Sequence, residues 1–447
     1  MNNWPYRPLS AFLIEREGRF KPNDPKIASY KRLDKIDFSG KIHISEKPSK
    51  TDMIIIEPGD LVISGINVAK GALAVYDGDE PVTATIHYSS YRFNKNKIDI
   101  EFLKRFLKSP AFISELQNQV KGGIKTEIKP KHLLPLKARI PELAEQQKIN
   151  QYFDAIDNEV TDLSNEVNTQ SSYITKLRQA ILQEAIEGKL TADWRKENHF
   201  RKGDPDYDSE ALLVKIQAEK EKLIKEGKIK KQKPLAPIKA EEVPFELPEG
   251  WVWSNYFNVS SITGGKRLPQ GYTFSKDATD HIYIRIVDMK NGSIIDDDLK
   301  YIDDEIFNKI SKYIITKNDL YITIAGTIGQ AGLVPKKFDR MNLTENAARV
   351  TPYLVNKEWL YYFTISKSIQ DQFSSYTKGM AQPKLALFRI QKTNLPIPPL
   401  AEQKAIVERV KKLLSMVDEL EKQVSERKEQ SEQLMQAVLR EAFEGGK

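Results

Sequence analysis

The chain of 447 residues contains no cysteine. Disulfides and thiolate metal sites are thereby excluded, and the composition suits a reducing compartment. Histidine is nearly as scarce. The five present, His43, His87, His132, His199 and His281, show no HExxH or other paired-ligand spacing, so no metal site is expected. No apolar run approaches the ~18 residues that cross a bilayer, and the run at residues 53–56 has the length of a strand. The first ten residues, MNNWPYRPLS, lack the apolar core of a secretory signal. A soluble, cytoplasmic protein is expected.

Charge is plentiful, and its distribution is informative. The formal net charge is +7. Residues 1–139 hold 24 Lys/Arg against 16 Asp/Glu, whereas residues 140–194 hold 4 against 10. Residues 195–244 and 245–396 each carry an excess of three positive charges, and residues 397–447 are nearly balanced. A polyanion would therefore favour the segments at 1–139 and 245–396 over those that follow them.

The strongest pattern is an internal repeat. IPELAEQQKI at 140–149 returns as IPPLAEQKAI at 397–406, and the same offset aligns KLRQAILQEAIEG at 176–188 with QLMQAVLREAFEG at 433–445. Of 51 ungapped positions 18 are identical, where this composition would give ~3 by chance. One structural unit is used twice. In each copy apolar residues alternate spacings of four and three. The first runs through Ile156, Val160, Leu163, Val167 and Leu177, the second through Leu413, Val417, Leu420, Val424 and Leu434. That is a heptad seam, predicting a long helix in each copy and pairing of the two. At a rise of about 1.5 Å per residue each helix would be a rod of roughly 60 Å, and Gly188 and Gly445 stand where a helix should stop.

The segments before the helices diverge but keep a common skeleton: Asp60-Leu61 matches Asp319-Leu320, and Lys121-Gly122 matches Lys378-Gly379. Short β-rich runs broken by Gly, Asp and Asn precede helical stretches at about 101–120 and 358–376. The expected fold is α+β: two globular domains separated by two long antiparallel coiled-coil helices, in a pseudo-twofold repeat. The expected boundaries are 1–139 and 245–396 for the domains, 140–190 and 397–447 for the helices, and 191–244 for a linker. Within the linker, residues 214–239 carry nine Lys against three Glu and read as a short amphipathic helix broken at Pro234 and Pro237. Its lysines read first as a solvated face, with phosphate contact as the lesser alternative.

Taken together, the duplicated IPxLAEQ before a heptad helix, the helix ends QAILQEAIEGKLTADWR and QAVLREAFEG, the Lys-rich linker and the LPEGWVW that restarts the ordered chain resemble the specificity subunits of type I restriction-modification systems. The resemblance covers essentially the whole length. It implies two target-recognition domains, each reading one half of a bipartite, asymmetric site in double-stranded DNA. It further implies that the paired helices set the half-site spacing and dock two methyltransferase subunits, with up to two restriction/translocase subunits joining. The seam residues named above are the candidates for spacing and docking. S-adenosylmethionine is expected on the partner methyltransferase and no cofactor on this chain.

Candidate DNA contacts are basic, Gly-containing loops, because Lys, Arg and Gln suit base edges and Gly lets the backbone approach phosphate. They are Lys121, Gly122, Gly123 and Lys125; Ser90, Tyr91 and Arg92; Gly265, Lys266 and Arg267; and Lys378, Gly379, Gln382 and Lys384. The last group resembles the Gly-Gln-Pro loop common in the family's recognition domains. No catalytic residue is expected. The chain has no NPPY-like methyltransferase tetrad, and Gly326, Gly329 and Gly332 lack the Lys-Ser/Thr tail of a nucleotide loop. Two further readings stay open: a free-standing pseudo-dimeric DNA-binding regulator, and a coiled-coil scaffold that binds only protein. The second leaves two divergent basic domains unexplained.

Overall fold

The computed structural model describes residues 4–47, 49–109, 112, 114, 115, 118, 128–379 and 382–444, with the backbone alone at 69, 157, 435, 436 and 438–444. The chain divides into two compact units, residues 1–169 with 424–447 and residues 170–423. Among the described residues no helix is long and apolar enough to cross a membrane.

The first unit contains strands β1 (Tyr6–Pro8), β2 (Leu13–Glu15), β3 (Arg32–Ile36), β4 (Ile42–Ser45), β5 (Met53–Ile56), β6 (Leu61–Ser64), β7 (Leu73–Val75), β8 (Val82–Thr85), β9 (Tyr88–Phe93) and β10 (Lys137–Arg139). They form two four-stranded sheets, ordered β2-β9-β6-β7 and β4-β3-β8-β5, and a pair β1-β10. All contacts are antiparallel except β3 with β8.

The second unit contains β11 (Val252–Asn255), β12 (Ser260–Gly264), β13 (His281–Ile284), β14 (Met289–Lys290), β15 (Ser293–Ile294), β16 (Lys300–Ile302), β17 (Ile314–Ile315), β18 (Leu320–Thr323), β19 (Ala331–Leu333), β20 (Met341–Leu343), β21 (Ala347–Pro352) and β22 (Asn394–Ile397). The orders β12-β21-β18-β19, β16-β13-β20-β17 and β11-β22 repeat those of the first unit, down to the single parallel pair, β13 with β20. The small pair β14-β15 is additional. The two domains thus share one topology beneath divergent sequences.

The turn aspartates explain part of this skeleton. Asp60, buried at the start of β6, accepts from Glu57 N at 3.1 Å, Ser90 Oγ at 2.7 Å and the Arg16 guanidinium. Asp319, buried before β18, accepts from Thr316 N at 2.7 Å and from Thr351 Oγ1 at 2.5 Å. Both carboxylates supply acceptors to strand ends that would otherwise lack partners.

Each domain carries a helix beside its sheets. In the first it is Ile100–Lys108, capped by Asp99, whose side chain accepts from Glu101 N and Phe102 N, and it buries Phe102, Leu103, Phe106 and Leu107. In the second it is Lys357–Thr364, capped by Asn356 in the same way and burying Trp359, Leu360 and Phe363. The stretch expected as one helix over 358–376 is two, since a further helix begins at Lys367. The break falls at Ser366, whose backbone is extended (φ −66°, ψ 149°) and whose Oγ donates back to Phe363 O at 2.7 Å.

The long helices are Leu143–Ile186 and Leu400–Glu444, 44 and 45 residues. The first ends as expected at Gly188, whose φ of +72° is left-handed. A Cβ there would lie 2.5 Å from Pro248 Cγ, so this close approach requires glycine. Gly445 lies outside the described residues. Within the second unit the two helices run antiparallel. Arg178 reaches Asp418 and, at 2.7 Å, Glu421, while Arg409 reaches back past the end of the first helix to Asp193 at 2.9 Å. The linker helix spans Ser209–Lys225, not 214 onward, because Asp208 caps it and the chain turns at Gly227 (φ +69°).

The seam is less continuous than its heptads suggest. Val167 and Val417 are buried; Val160, Leu163, Leu413 and Val424 are half-buried. Ile156 packs instead against the core of the first domain. Leu177, Leu420 and Leu434 are 43%, 45% and 54% exposed, so they do not sit in a closed interface between helices.

Candidate nucleic-acid interface

In the second domain the chain leaving β12 and the loop before the helix Leu387–Lys392 face one another across a cleft of about 540 Å³. One wall is Gly264, Gly265, Lys266 and Arg267; the other is Lys384 to Leu387; Ile324 and Glu345 lie between. Main-chain bonds hold the walls: Gly265 N to Ala347 O at 3.1 Å, Lys266 N to Leu343 O at 2.8 Å and Leu385 N to Ile324 O at 2.8 Å. Gly265 is required by close approach, since a Cβ would lie 2.1 Å from Thr344 O. Arg267 pairs with Glu345 at 3.2 Å while remaining largely exposed. Burial pushes the Tyr283 phenol up to about 12, so at neutral pH it is a hydroxyl, and it donates to Lys266 O at 2.8 Å. Two groups expected separately as DNA contacts, Gly265-Lys266-Arg267 and Lys384, are therefore neighbours. Lys378 and Gly379 are exposed at the end of the helix Lys367–Thr377.

The first domain has a cleft at the equivalent place, about 280 Å³, between residues 15–19 and 128–130. Ile128 N bonds Gly65 O at 2.9 Å, just as Leu385 N bonds Ile324 O, each one residue beyond the equivalent strand, β6 or β18. Besides Arg16, held by Asp60, and the carboxylates of Glu15 and Glu17, the lining carries Arg19, Lys129 and His87. None of these three was singled out from the sequence. Aligning β2 with β12 by their partners β9 and β21 places Arg19 where Lys266 stands.

The other expected contacts of this domain change status. Lys121, Gly122, Gly123 and Lys125 lie outside the described residues. Residues 89–92, expected as a loop, belong to β9, which pairs with β2 on one side and β6 on the other. Ser90 is 1% exposed and donates to Asp60, and Tyr91 is 1% exposed in the core. Ser90 lines the cleft from within the sheet, and of this group only Arg92 is exposed.

The repeated LAEQ segment has a specific task. Gln146 and Gln403 are fully buried at the start of the two long helices. Gln146 accepts from Asp99 N at 2.7 Å and donates to Pro141 O at 2.8 Å. Gln403 accepts from Asn356 N at 2.8 Å and donates to Pro398 O at 2.8 Å. Each glutamine thus ties its long helix to the capping residue of the adjoining domain's helix. In the second unit the neighbouring Glu402 is buried too. It accepts from Thr191 Oγ1 at 2.6 Å, from Trp251 Nε1 at 2.7 Å and from Arg195. This one carboxylate joins the LTADWR segment, the LPEGW segment and the second LAEQ.

The chain is similar in sequence to proteins of one family. Residues 18–170 and 248–430 match the family model described as type I restriction modification DNA specificity domain. The specificity subunit of the type I restriction enzyme EcoAI from Escherichia coli is 29% identical over 298 residues, 63% of this chain and 45% of that protein. That of EcoBI from the same species is 24% identical over 358 residues, 78% of this chain and 67% of that protein. The match to EcoAI thus spans less than half of that relative. Among solved structures, a chain from a type I R-M system assembly superposes with a TM-score of 0.66 at 15% identity, over 100% of this chain and 98% of that one. The HsdS subunit from Thermoanaerobacter tengcongensis gives 0.50 at 16% identity, over 99% and 97%. These likenesses concern the fold. The family match takes in both globular domains and most of both long helices, and the chain belongs to the type I restriction modification DNA specificity domain family.

Proposed function

We propose that this chain is the DNA sequence-specificity subunit of a type I restriction-modification complex and performs no chemistry itself. The observation that carries the reading is the cleft built twice on one topology, with Lys266, Arg267 and Lys384 in one copy and Arg19 and Lys129 in the other. Phosphate contacts position such a domain on a duplex, and side chains reaching base edges supply the sequence information. Because the two clefts differ in side chains, each reads its own half-site and the whole site is asymmetric. The long helices fix the unread spacing between half-sites. They also dock two methyltransferase subunits, which bring S-adenosylmethionine, and up to two restriction/translocase subunits complete the complex. Tyr173, Leu177, Met416 and Leu420, exposed apolar residues on the long helices, are suited to that docking.

Co-expression with the neighbouring methyltransferase, followed by genome-wide mapping of methylated bases, tests the reading. A bipartite adenine motif is expected. Tight, specific DNA binding by the chain alone, with no motif methylated, would favour a free-standing regulator. Lengthening the long helices by one turn, about four residues, should lengthen the spacer and leave both half-sites unchanged.

A further inference from the structure

The recognition clefts leave the lysine-rich arm of residues 226–239 without a role. Its root is firmly placed. Leu212 and Ile216 of the helix Ser209–Lys225 are buried, and Lys220, 8% exposed, donates to Phe257 O at 2.8 Å with its Nζ 4.2 Å from the Phe257 ring centroid. Beyond Gly227 the arm runs opposite β12 and encloses an open cleft of about 1090 Å³. β12 is an edge strand, paired only with β21.

This cleft is rich in uncommitted cations. Lys225 lines it from the end of the helix, Lys228, Lys230 and Lys231 from the arm, and Arg349 from β21. Arg349 spends its guanidinium on neutral acceptors, Thr263 Oγ1 at 3.1 Å and Ile314 O at 2.6 Å. Among the described residues Lys225, Lys230, Lys231 and Arg349 form no ion pair, whereas Lys228 pairs with Glu226 at 2.7 Å. On the opposite side of the balance stand Glu219, Glu221 and Asp319, and the last is taken up by Thr316 and Thr351.

One strand connects this cleft to the recognition cleft. Residues 260–263 of β12 line the first, and Gly264 at its end lines the second. Five residues of strand cover about 15 Å, the length of about four base steps along a duplex at ~3.4 Å each. Flanking phosphates of DNA seated in the recognition cleft therefore come within reach of the arm. We propose that the arm and Arg349 form a phosphate clamp for the duplex flanking the half-site read by the second domain. The clamp adds affinity and no sequence preference. This rests on the DNA-reading role proposed above.

The test replaces Lys225, Lys230 and Lys231 with glutamine in the full chain, singly and together; all three are exposed and none holds the fold. Binding to a duplex carrying the methylated motif and to an unrelated duplex is measured across salt concentrations. Losing three phosphate contacts should flatten the slope of log K against log salt by up to about 2.7. Both duplexes should weaken together, by about tenfold, and the methylated motif should stay the same. Trimming the flank beside the second half-site should cost the wild type a similar factor and the triple variant little. An unchanged slope in the triple variant, with preference for the motif intact, would overturn the clamp and leave the DNA-reading role standing. A wild type with no preference between the two duplexes would overturn both.

Discussion

The indole of Trp251 donates to a carboxylate oxygen of Glu402 across 151 residues of chain, at 2.7 Å, in a site where Glu402 is 1% exposed. Thr191 and Arg195 complete the same carboxylate's partners. The end of the first long helix, the restart of the ordered chain and the start of the second long helix meet at this one group.

Glu402→Ala should accordingly destabilise the second unit by about 3–5 kcal/mol, because it takes away the acceptor of the buried Thr191 hydroxyl and Trp251 indole N–H and the charge partner of Arg195. Its counterpart in the repeat, Glu145, is exposed and reaches only Lys148, at 3.9 Å. Glu145→Ala should change stability by less than about 0.5 kcal/mol. Thermal unfolding of the two variants reads the contrast directly; equal melting temperatures would refute it.

The glutamines behave differently, since they are used alike in both units. Gln146→Ala and Gln403→Ala each leave a half-buried backbone N–H, of Asp99 or Asn356, without this acceptor. Each should cost about 1–3 kcal/mol, and hydrogen exchange should quicken at the first turn of the adjoining domain helix. Unaltered protection there would show that the amide is not what holds the cap.

The two clefts give a test that separates the half-sites. Lys266→Ala with Lys384→Ala should relax or abolish discrimination in one half of the methylated motif only. Arg19→Ala with Lys129→Ala should do so in the other half. Loss of one good base contact is worth about 1–3 kcal/mol. Motif mapping by sequencing distinguishes the outcomes, and an effect spread evenly over both halves would count against separate readers.

Asp60 supplies a pH dependence. Burial raises its pKa, but the hydrogen bonds from Arg16, Ser90 and the Glu57 N–H outweigh that and leave it below its ordinary value. A carboxyl depressed by folding contributes stability that is present above its unfolded pKa of about 4 and lost as pH falls through the folded value. The first unit should therefore lose stability in acid, and Asp60→Asn should be less stable at neutral pH with a shallower acid limb. Unfolding followed between about pH 2.5 and 7 would show it.

Much of this organisation is legible in the sequence because it is periodic or repeated. The heptads mark the helices, and the glycine that closes QEAIEG marks where the first one stops. What escapes is whatever depends on distant partners. Gln146 and Glu402 read as polar positions on a helix, and only the folded chain brings them to Asp99 N and Trp251. Ser90, Tyr91 and Arg92 read as an exposed loop, yet pairing on both sides makes the run a strand interior and buries Ser90 and Tyr91. Arg19 and Lys129 escaped for another reason. The domains have diverged until the equivalence of β2 with β12 shows only in strand pairing.

The glutamine clasp also bears on how such a protein changes its target. Each domain is fastened to its long helix through main-chain groups, a short pair of terminal strands and one Asx cap. None of these takes account of the loops that line the cleft on the same domain. Side chains complete the joint, with Ile156 against the first core, Arg105 on Asp154 at 2.8 Å and Lys411 on Glu358 at 2.7 Å, so a foreign domain must present both an Asx-capped helix to the glutamine and partners for these positions.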